Sequence, residues 1–266
     1  MRLNLNNKIN FLKGYTDKPT IISVESKQGE KLYFFAPSEG TKFRINTLFT
    51  KEPSTITWLN RIQENDTFLD IGANIGIYSI YAAVIKKCRV ISIEPESQNF
   101  SNLVSNIIIN NLYEKSLPFC LAMSNENKIG VLHLSSFSID GAGSGHMFDE
   151  ELCFDLTPSK STFKQGCIGM KLDSFIEEKY IPIPDFIKID VDGLEHKVIE
   201  GAITTLKNQK LKSVLIEIYS KLEEHMNIID LLLSLGFEYD SNQVEQDRIK
   251  DGWNKGMGNI IFNRGI

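Results

Sequence analysis

Apolar residues gather along this chain into short runs that alternate with stretches of helical spacing. Phe68-Leu69-Asp70-Ile71, Val90-Ile91-Ser92-Ile93, Leu117–Met123, Asp185–Ile189 and Ser213–Ile218 are nearly continuous in apolar character. Such runs read as strands buried on both faces. Residues 77–86, 97–110, 194–207 and 225–235 instead place apolar side chains three and four apart, the spacing of helices with one packed face. Alternation of the two predicts a largely parallel sheet covered by helices. Phe237–Tyr239 and Asn259–Phe262 are expected to close it as an antiparallel pair. Ser97 is a plausible N-cap for helix 97–110, and Leu172–Lys179 reads as a short helix with Asp173 in its first turn. Strands over 130–135 and 165–170 flank a polar loop that ends in Asp140-Gly-Ala-Gly-Ser-Gly-His146.

The first fifty residues follow another rhythm. Thr20–Val24 and Lys31–Phe35 are β-rich, and Lys27-Gln28-Gly29-Glu30 between them has the composition of a hairpin turn. This predicts an antiparallel β appendage over residues 1–50 and one α/β domain over 51–266. Pro53 should open a helix carrying Trp58, Leu59 and Ile62 into the first core strand.

The polar positions that interrupt this pattern supply the candidate chemistry. The run at 67–71 ends in Asp70-Ile-Gly-Ala-Asn-Ile-Gly76, and the next strand delivers Glu94 at its carboxyl end. Glycines in such a turn let a ligand approach the backbone, and the acid accepts from ribose hydroxyls, so the unit reads as a nucleoside site. A dinucleotide fingerprint would need a third glycine, and Asp70 would repel a pyrophosphate. An anion there suits a cationic ligand, and S-adenosylmethionine carries an ammonium and a sulfonium. On this reading Asp70 anchors the methionine part. Gly72, Ala73, Asn74 and Gly76 give backbone contacts, Glu94 takes the ribose, and Pro95 walls the adenine. Ala122, Met123 and Ser124 would flank the base. The competing reading is a turn whose glycines serve packing alone.

A second group lies around Asp190-Val-Asp-Gly-Leu-Glu-His196, with Glu217 on the following strand. Asp190 ends its strand, where it could orient an acceptor hydroxyl, take its proton, or bind the cofactor ammonium. Glu195, His196 and Glu217 join it as candidate catalytic residues, His196 because its ordinary pKa suits a general base. Clustered carboxylates could hold a hard cation, but no ligand spacing demands one and no metal is expected. Glu195 could equally be an acid favoured by its place in the first turn of a helix. His146 either reaches over the substrate or belongs to a solvated loop. Trp58 and Trp253 could stack a sugar, although packing is the commoner use of tryptophan.

Composition narrows the partners. The chain has 266 residues, 42% hydrophobic and 24% charged, with net charge −5 and pI near 5.5. That balance argues against a broad basic surface for nucleic acid and leaves room only for a local patch. Cysteines at 88, 120, 153 and 167 show no zinc spacing. Cys88 and Cys120 sit in apolar runs and are expected to be buried thiols in a reducing compartment. The first residues lack a signal-peptide apolar core, and no apolar run reaches membrane-spanning length. A cytoplasmic location is expected.

Asp70-Ile-Gly-Ala-Asn-Ile-Gly76 resembles motif I of class I S-adenosylmethionine-dependent methyltransferases. Ile187-Lys-Ile-Asp-Val-Asp-Gly-Leu-Glu195 followed by Val198-Ile-Glu-Gly-Ala202 resembles the signature of the FkbM family. So do Lys51-Glu-Pro53 and Met170-Lys-Leu-Asp-Ser-Phe175, and together they span roughly residues 45–220. The resemblance implies a Rossmann-like class I sheet, mostly parallel with an antiparallel last strand. It implies S-adenosylmethionine as cofactor and O-methylation of a small molecule or of a sugar or glycan hydroxyl. One position departs: Asp192 stands where the family usually has Glu, which shortens that side chain by one methylene. Two other readings stay open. One is a catalytically silent, cofactor-binding scaffold of the same fold. The other is a nicotinamide-dependent oxidoreductase, against which the missing third glycine and Asp70 both speak.

Overall fold

A computed structural model describes residues 20–136 and 141–265. The expectations for residues 1–19 and for Asp140 lie outside the described residues. The chain opens with a hairpin, β1 (Ile21–Glu25) and β2 (Lys31–Phe35), in antiparallel register. Its turn is tied by the Ser26 hydroxyl, which accepts from the Gln28 and Glu30 amides. The β appendage expected through residue 50 stops at Phe35. Glu39–Asn46 is a helix, α1, because Ser38 and Thr41 form a reciprocal capping box at its start. Helix α2 (Pro53–Leu59) begins at the proline, as its fixed φ favours.

The central sheet then builds in order. β3 (Thr67–Ile71) leads through α3 (Ile77–Tyr81), which continues as a π-turn over Ala82–Lys86, into β4 (Arg89–Ile93). Helix α4 (Ser97–Ile109) is capped by Glu96 rather than Ser97. The Glu96 carboxylate accepts from the Gln98 and Asn99 amides and supplies a negative charge at the helix start. The apolar run 117–123 does not form one strand. β5 (Ser116–Phe119) belongs to the central sheet, and after a bend at Cys120–Leu121, β6 (Ala122–Met123) joins a second sheet. Cys120 is therefore exposed in the bend, whereas Cys88 is buried.

The second sheet holds β6, β7 (Lys128–Leu134), β8 (Met147–Phe148) and β9 (Phe163–Met170), in the order β6-β9-β7-β8. Helix α5 (Leu172–Glu177) and strand β10 (Phe186–Ile189) return to the core. The single helix expected over 194–207 is two, α6 (Glu195–Glu200) and α7 (Ile203–Lys207). Asp173 causes the second start by accepting from the Thr204 and Thr205 amides. β11 (Ser213–Tyr219), α8 (Glu223–Ser234), β12 (Glu238–Tyr239), α9 (Ser241–Asp247) and β13 (Met257–Asn263) complete the chain.

The seven-stranded sheet runs β12-β13-β11-β10-β3-β4-β5. Pairs from β11 to β5 are parallel, and β13 is antiparallel to both its neighbours. This is the Rossmann-like arrangement expected from the sequence. Chain order reverses between β3 and β10, so a crevice opens at their carboxyl ends, where such sheets bind ligands. Every residue of β3 and β10 is buried, since helices cover both faces. On one face Trp58 packs edge-on against Phe68 and Phe186 and donates to the Ser213 hydroxyl at 2.8 Å. Leu32 and Phe34 of the hairpin belong to this same apolar cluster.

Candidate functional site

The turn after β3 closes on itself. The Gly72 and Ala73 amides both donate to the Ile93 carbonyl, Asn74 N–H donates to Glu94 Oε2 at 2.8 Å, and Gly76 N–H donates to the Ala73 carbonyl. None of these amides is left to receive a phosphate, which removes the basis for a dinucleotide site. What the turn offers is close approach. Gly72 has φ +78°, and a Cβ there would stand 1.7 Å from the Asp190 carbonyl oxygen. The β3 and β10 ends therefore touch through their backbones, and only glycine allows it.

Glu94 is buried and accepts from Asn74 N, Glu96 N and, at 3.4 Å, Asn99 Nδ2. Burial outweighs those hydrogen bonds and raises its pKa to about 7. Glu94 and Pro95 line a cleft with Gly72, Asn74, Asp190 and Asp192. The glycine-rich loop covers that cleft. The Gly143 carbonyl accepts from Asn74 Nδ2 and Asn99 Nδ2, and Gly145 N–H donates to Asp192 Oδ2 at 2.7 Å. His146 also lines it, with Nδ1 buried and unpartnered; burial and then Arg44 depress its pKa to about 4, so the ring is neutral. The space left beneath the loop is about 80 Å³, far below the roughly 300 Å³ of the smallest drug-sized pockets.

Asp70 does not reach the cleft wall. It is buried under the turn, where Oδ2 accepts from the Ser79 hydroxyl at 2.6 Å and Oδ1 has no partner. Its charge faces Lys188, a lysine 1% exposed whose ammonium lies 2.8 Å from Asp190 Oδ2 and 5.4 Å from the Tyr78 ring centre. Burial opposes the Lys188 charge, but Asp190, Asp70 and Glu52 together hold it protonated. Burial likewise pushes Asp190 up, and Lys188 more than reverses this, so Asp190 stays an anion. Beside them lie Arg44, Lys51, Glu52 and Tyr78, with Lys51 Nζ 2.9 Å from Glu52 Oε1 and Tyr78 O–H donating to Glu52 Oε2. None of Lys188, Arg44, Glu52, Tyr78 and Asn99 emerges as a site residue from the sequence reading. Only Lys51-Glu-Pro53 signalled this wall, as part of the family pattern.

The remaining candidates divide. Asp190, Glu195 and Glu217 each bring a carboxylate oxygen within 4.8 Å of the others. Glu195 is fully buried, and its oxygens accept from Val191 N and Gly193 N. His225 Nδ1 accepts the Tyr219 amide, so Nε2 carries the proton and donates to the Gly193 carbonyl at 3.0 Å, with Glu195 Oε2 at 3.2 Å. Glu195 therefore holds the 191–194 loop in place and is not free to meet an acceptor. Lys188 pairs with Asp190 and two loop amides engage Glu195, so the trio keeps an excess of negative charge that bears on Glu217. Glu217 is half-buried with no such commitments; burial, then Asp190 and Glu195, raises its pKa well above the carboxylate range. His196 is brought to neither cleft; its ring lies 6.2 Å from that of His225. Ala122, Met123 and Ser124 are also elsewhere. The bend at Cys120 pairs them with β9, and they are buried in packing.

The residues present fit S-adenosylmethionine: a backbone cradle without free amides, a buried acid, Glu94, just after β4, and an orphaned carboxylate oxygen below. Among the described residues no helix is long and apolar enough to cross a membrane.

Residues 70–239 match the methyltransferase FkbM domain. Hexuronic acid methyltransferase AglP of Haloferax volcanii is 22% identical over 182 residues, 67% of this chain and 66% of that protein. The chain thus spans just under two thirds of the length of this curated relative. Similar solved structures include precorrin-6y C5,15-methyltransferase of Geobacter metallireducens, with 13% identity, TM-score 0.46 and coverage of 82% of this chain and 91% of that one. TYW2 of M. jannaschii in complex with AdoMet has 16% identity, TM-score 0.41 and coverage of 93% and 88%. With its family domain matched across well over half its length, the chain belongs to the FkbM methyltransferase family.

Proposed function

We propose that this chain is an S-adenosylmethionine-dependent O-methyltransferase acting on a hydroxyl of a sugar or related small molecule. One observation carries the reading. The glycine turn and Glu94, on one side of the sheet's switch point, line one cleft with Asp190 on the other, and a Glu217 carboxylate oxygen lies within 4.8 Å of one of Asp190's. The relative named for hexuronic acid supports a sugar acceptor.

When bound, the cofactor supplies a methyl group on a positively charged sulfur. Glu94 would accept from the ribose hydroxyls, and the turn that Gly72 holds against the Asp190 backbone would form the wall beside them. Asp190, paired with Lys188, is the carboxylate that lines that cleft and would face the cationic end, with Asp70 buried behind it. Arg44 and Lys51 face the opposite charge, a carboxylate. Entry requires the 143–146 segment to release Asn74, Asn99 and Asp192, after which the loop excludes water over the reacting atoms.

Glu217 is the group suited to receive the acceptor's proton. Environments that drive two carboxyl groups apart in pKa mark their separate roles; Asp190 is held ionised and is a weak base, while Glu217 is raised. Turnover should therefore rise with pH as Glu217 ionises. Glu217→Gln should lower kcat by about 10²-fold or more and flatten that limb, leaving cofactor affinity nearly unchanged. Labelled-methyl transfer across pH measures it. A wild-type-like profile for Glu217→Gln would remove Glu217 from proton transfer.

A further inference from the structure

The carboxyl end of β11 carries a feature that methyl transfer itself does not use. Glu217 and Tyr219 are two residues apart on one strand, so their side chains share a face about 7 Å apart. The Tyr219 ring meets Phe154 at 5.7 Å between centres, and Phe154 meets Trp253 edge-on at 5.0 Å. Phe154 also adjoins the Asp190–Gly193 loop, because a Cβ on Gly193 would come within 2.7 Å of the Phe154 carbonyl oxygen. A row of three aromatic rings thus leads outward from the acidic centre. It ends in a tryptophan 74% exposed, an unusual setting for so large an apolar surface.

Beyond that row the 248–256 turn folds back on the end of β11. Ser220 N–H donates to the Gly256 carbonyl, and Gly256 and Ile249 close the turn. The cavity between them is about 300 Å³ and is lined by Lys221, Arg248, Lys250 and Lys255 against one acid, Glu245. Lys250 is 3.7 Å from Glu245, and the Lys221 ammonium lies 5.2 Å from the Tyr219 ring centre. Among the described residues, Lys221, Arg248 and Lys255 have no carboxylate partner within ion-pair distance. In a chain of net charge −5, unpaired cations gathered on one concavity focus a positive potential there. Aromatic faces stack sugar rings, and Tyr and Trp do so at low entropic cost.

We propose that this cleft holds an anionic group, a phosphate or a carboxylate, carried by the acceptor sugar. Trp253, the exposed end of the Tyr219–Phe154–Trp253 row, would stack the sugar beside that group. The proposal rests on the sugar-methyltransferase reading above and deepens it by fixing the charge of the acceptor and where that charge sits.

The test titrates glucose 1-phosphate, glucuronate and glucose into the full chain, with and without S-adenosylhomocysteine. Calorimetry and tryptophan emission are both read. Trp58 is buried and bonded to Ser213, so a ligand-dependent change in emission reports Trp253. At least one anionic sugar should saturate at millimolar concentration and shift the emission, with glucose failing to do so. The tighter of the two identifies the group as phosphate or carboxylate. Arg248→Glu with Lys255→Glu should weaken that binding by about tenfold or more, and Trp253→Phe should abolish the emission change. Equal response to glucose and the anionic sugars, or binding unaltered by the charge reversal, would overturn the proposal. Homocysteine-product binding is scored separately in the same samples. Its loss strikes the cofactor reading, while its presence without preference for anionic sugars strikes this one alone.

Discussion

Lys188 is the residue on which the electrostatics of the site turn. An ammonium this deeply buried survives because Asp190, Asp70 and Glu52 surround it, and removing one member of such a cluster leaves the others charged without compensation. Lys188→Met should cost about 3–5 kcal/mol of folding stability, measured by denaturant unfolding, and should raise the pKa of Asp190. An unchanged midpoint would contradict the arrangement. The sequence showed the acids and hid the lysine. Glu94 and Asp190 are legible because each follows a strand's last residue, where side chains meet ligands; Asp70, inside β3, is buried instead. A lysine inside an apolar strand has no such marker, and only the fold reveals that it points into the acidic cluster. Glu195 and His196 illustrate the converse. Their place after the strand suggested chemistry, but the loop amides occupy one and His225 neighbours the other.

At the scale of elements, the close contact between the β3 and β10 turns sets the cleft. Gly72→Ala would place a Cβ against the Asp190 carbonyl in a left-handed backbone conformation that alone costs an alanine about 1–2 kcal/mol. It should abolish cofactor binding and lower Tm. Gly166→Ala, on an exposed stretch of β9 with open space around it, should change neither. Calorimetry and thermal melts of the pair check this, and a Gly72→Ala protein that binds normally would sink the contact. The order of the central strands and of the helices between them was legible from periodicity, including the antiparallel final strand, whereas α1, α9 and β8 were not read. Nor were the breaks. The bend at Cys120 and the restart at Ile203 depend on partners distant in sequence, β9 for the first and the Asp173 carboxylate for the second. The misplacement of Ala122–Ser124 follows directly from reading through that bend.

For the whole molecule, the hairpin is hydrogen-bonded to the α/β core. Phe35 N–H donates to Asn106 Oδ1, Asn110 exchanges two bonds with the Tyr33 backbone, and Asn106 Nδ2 reaches the Ile75 carbonyl behind the glycine turn. Although residues 1–50 read as an appendage, we propose that the hairpin and the α/β core unfold together, because Leu32 and Phe34 are buried among core residues. A single calorimetric transition is expected; two resolved transitions would separate them. The topology then places a crevice at the switch point between β3 and β10, the site we propose for the methyl donor. The most direct test is calorimetric titration of S-adenosylhomocysteine into the wild-type chain and Glu94→Ala. Micromolar binding, weakened by the substitution tenfold or more (about 1.4 kcal/mol), is the predicted result. Absence of binding to the folded wild type would contradict the cofactor assignment and leave a silent scaffold of the same fold.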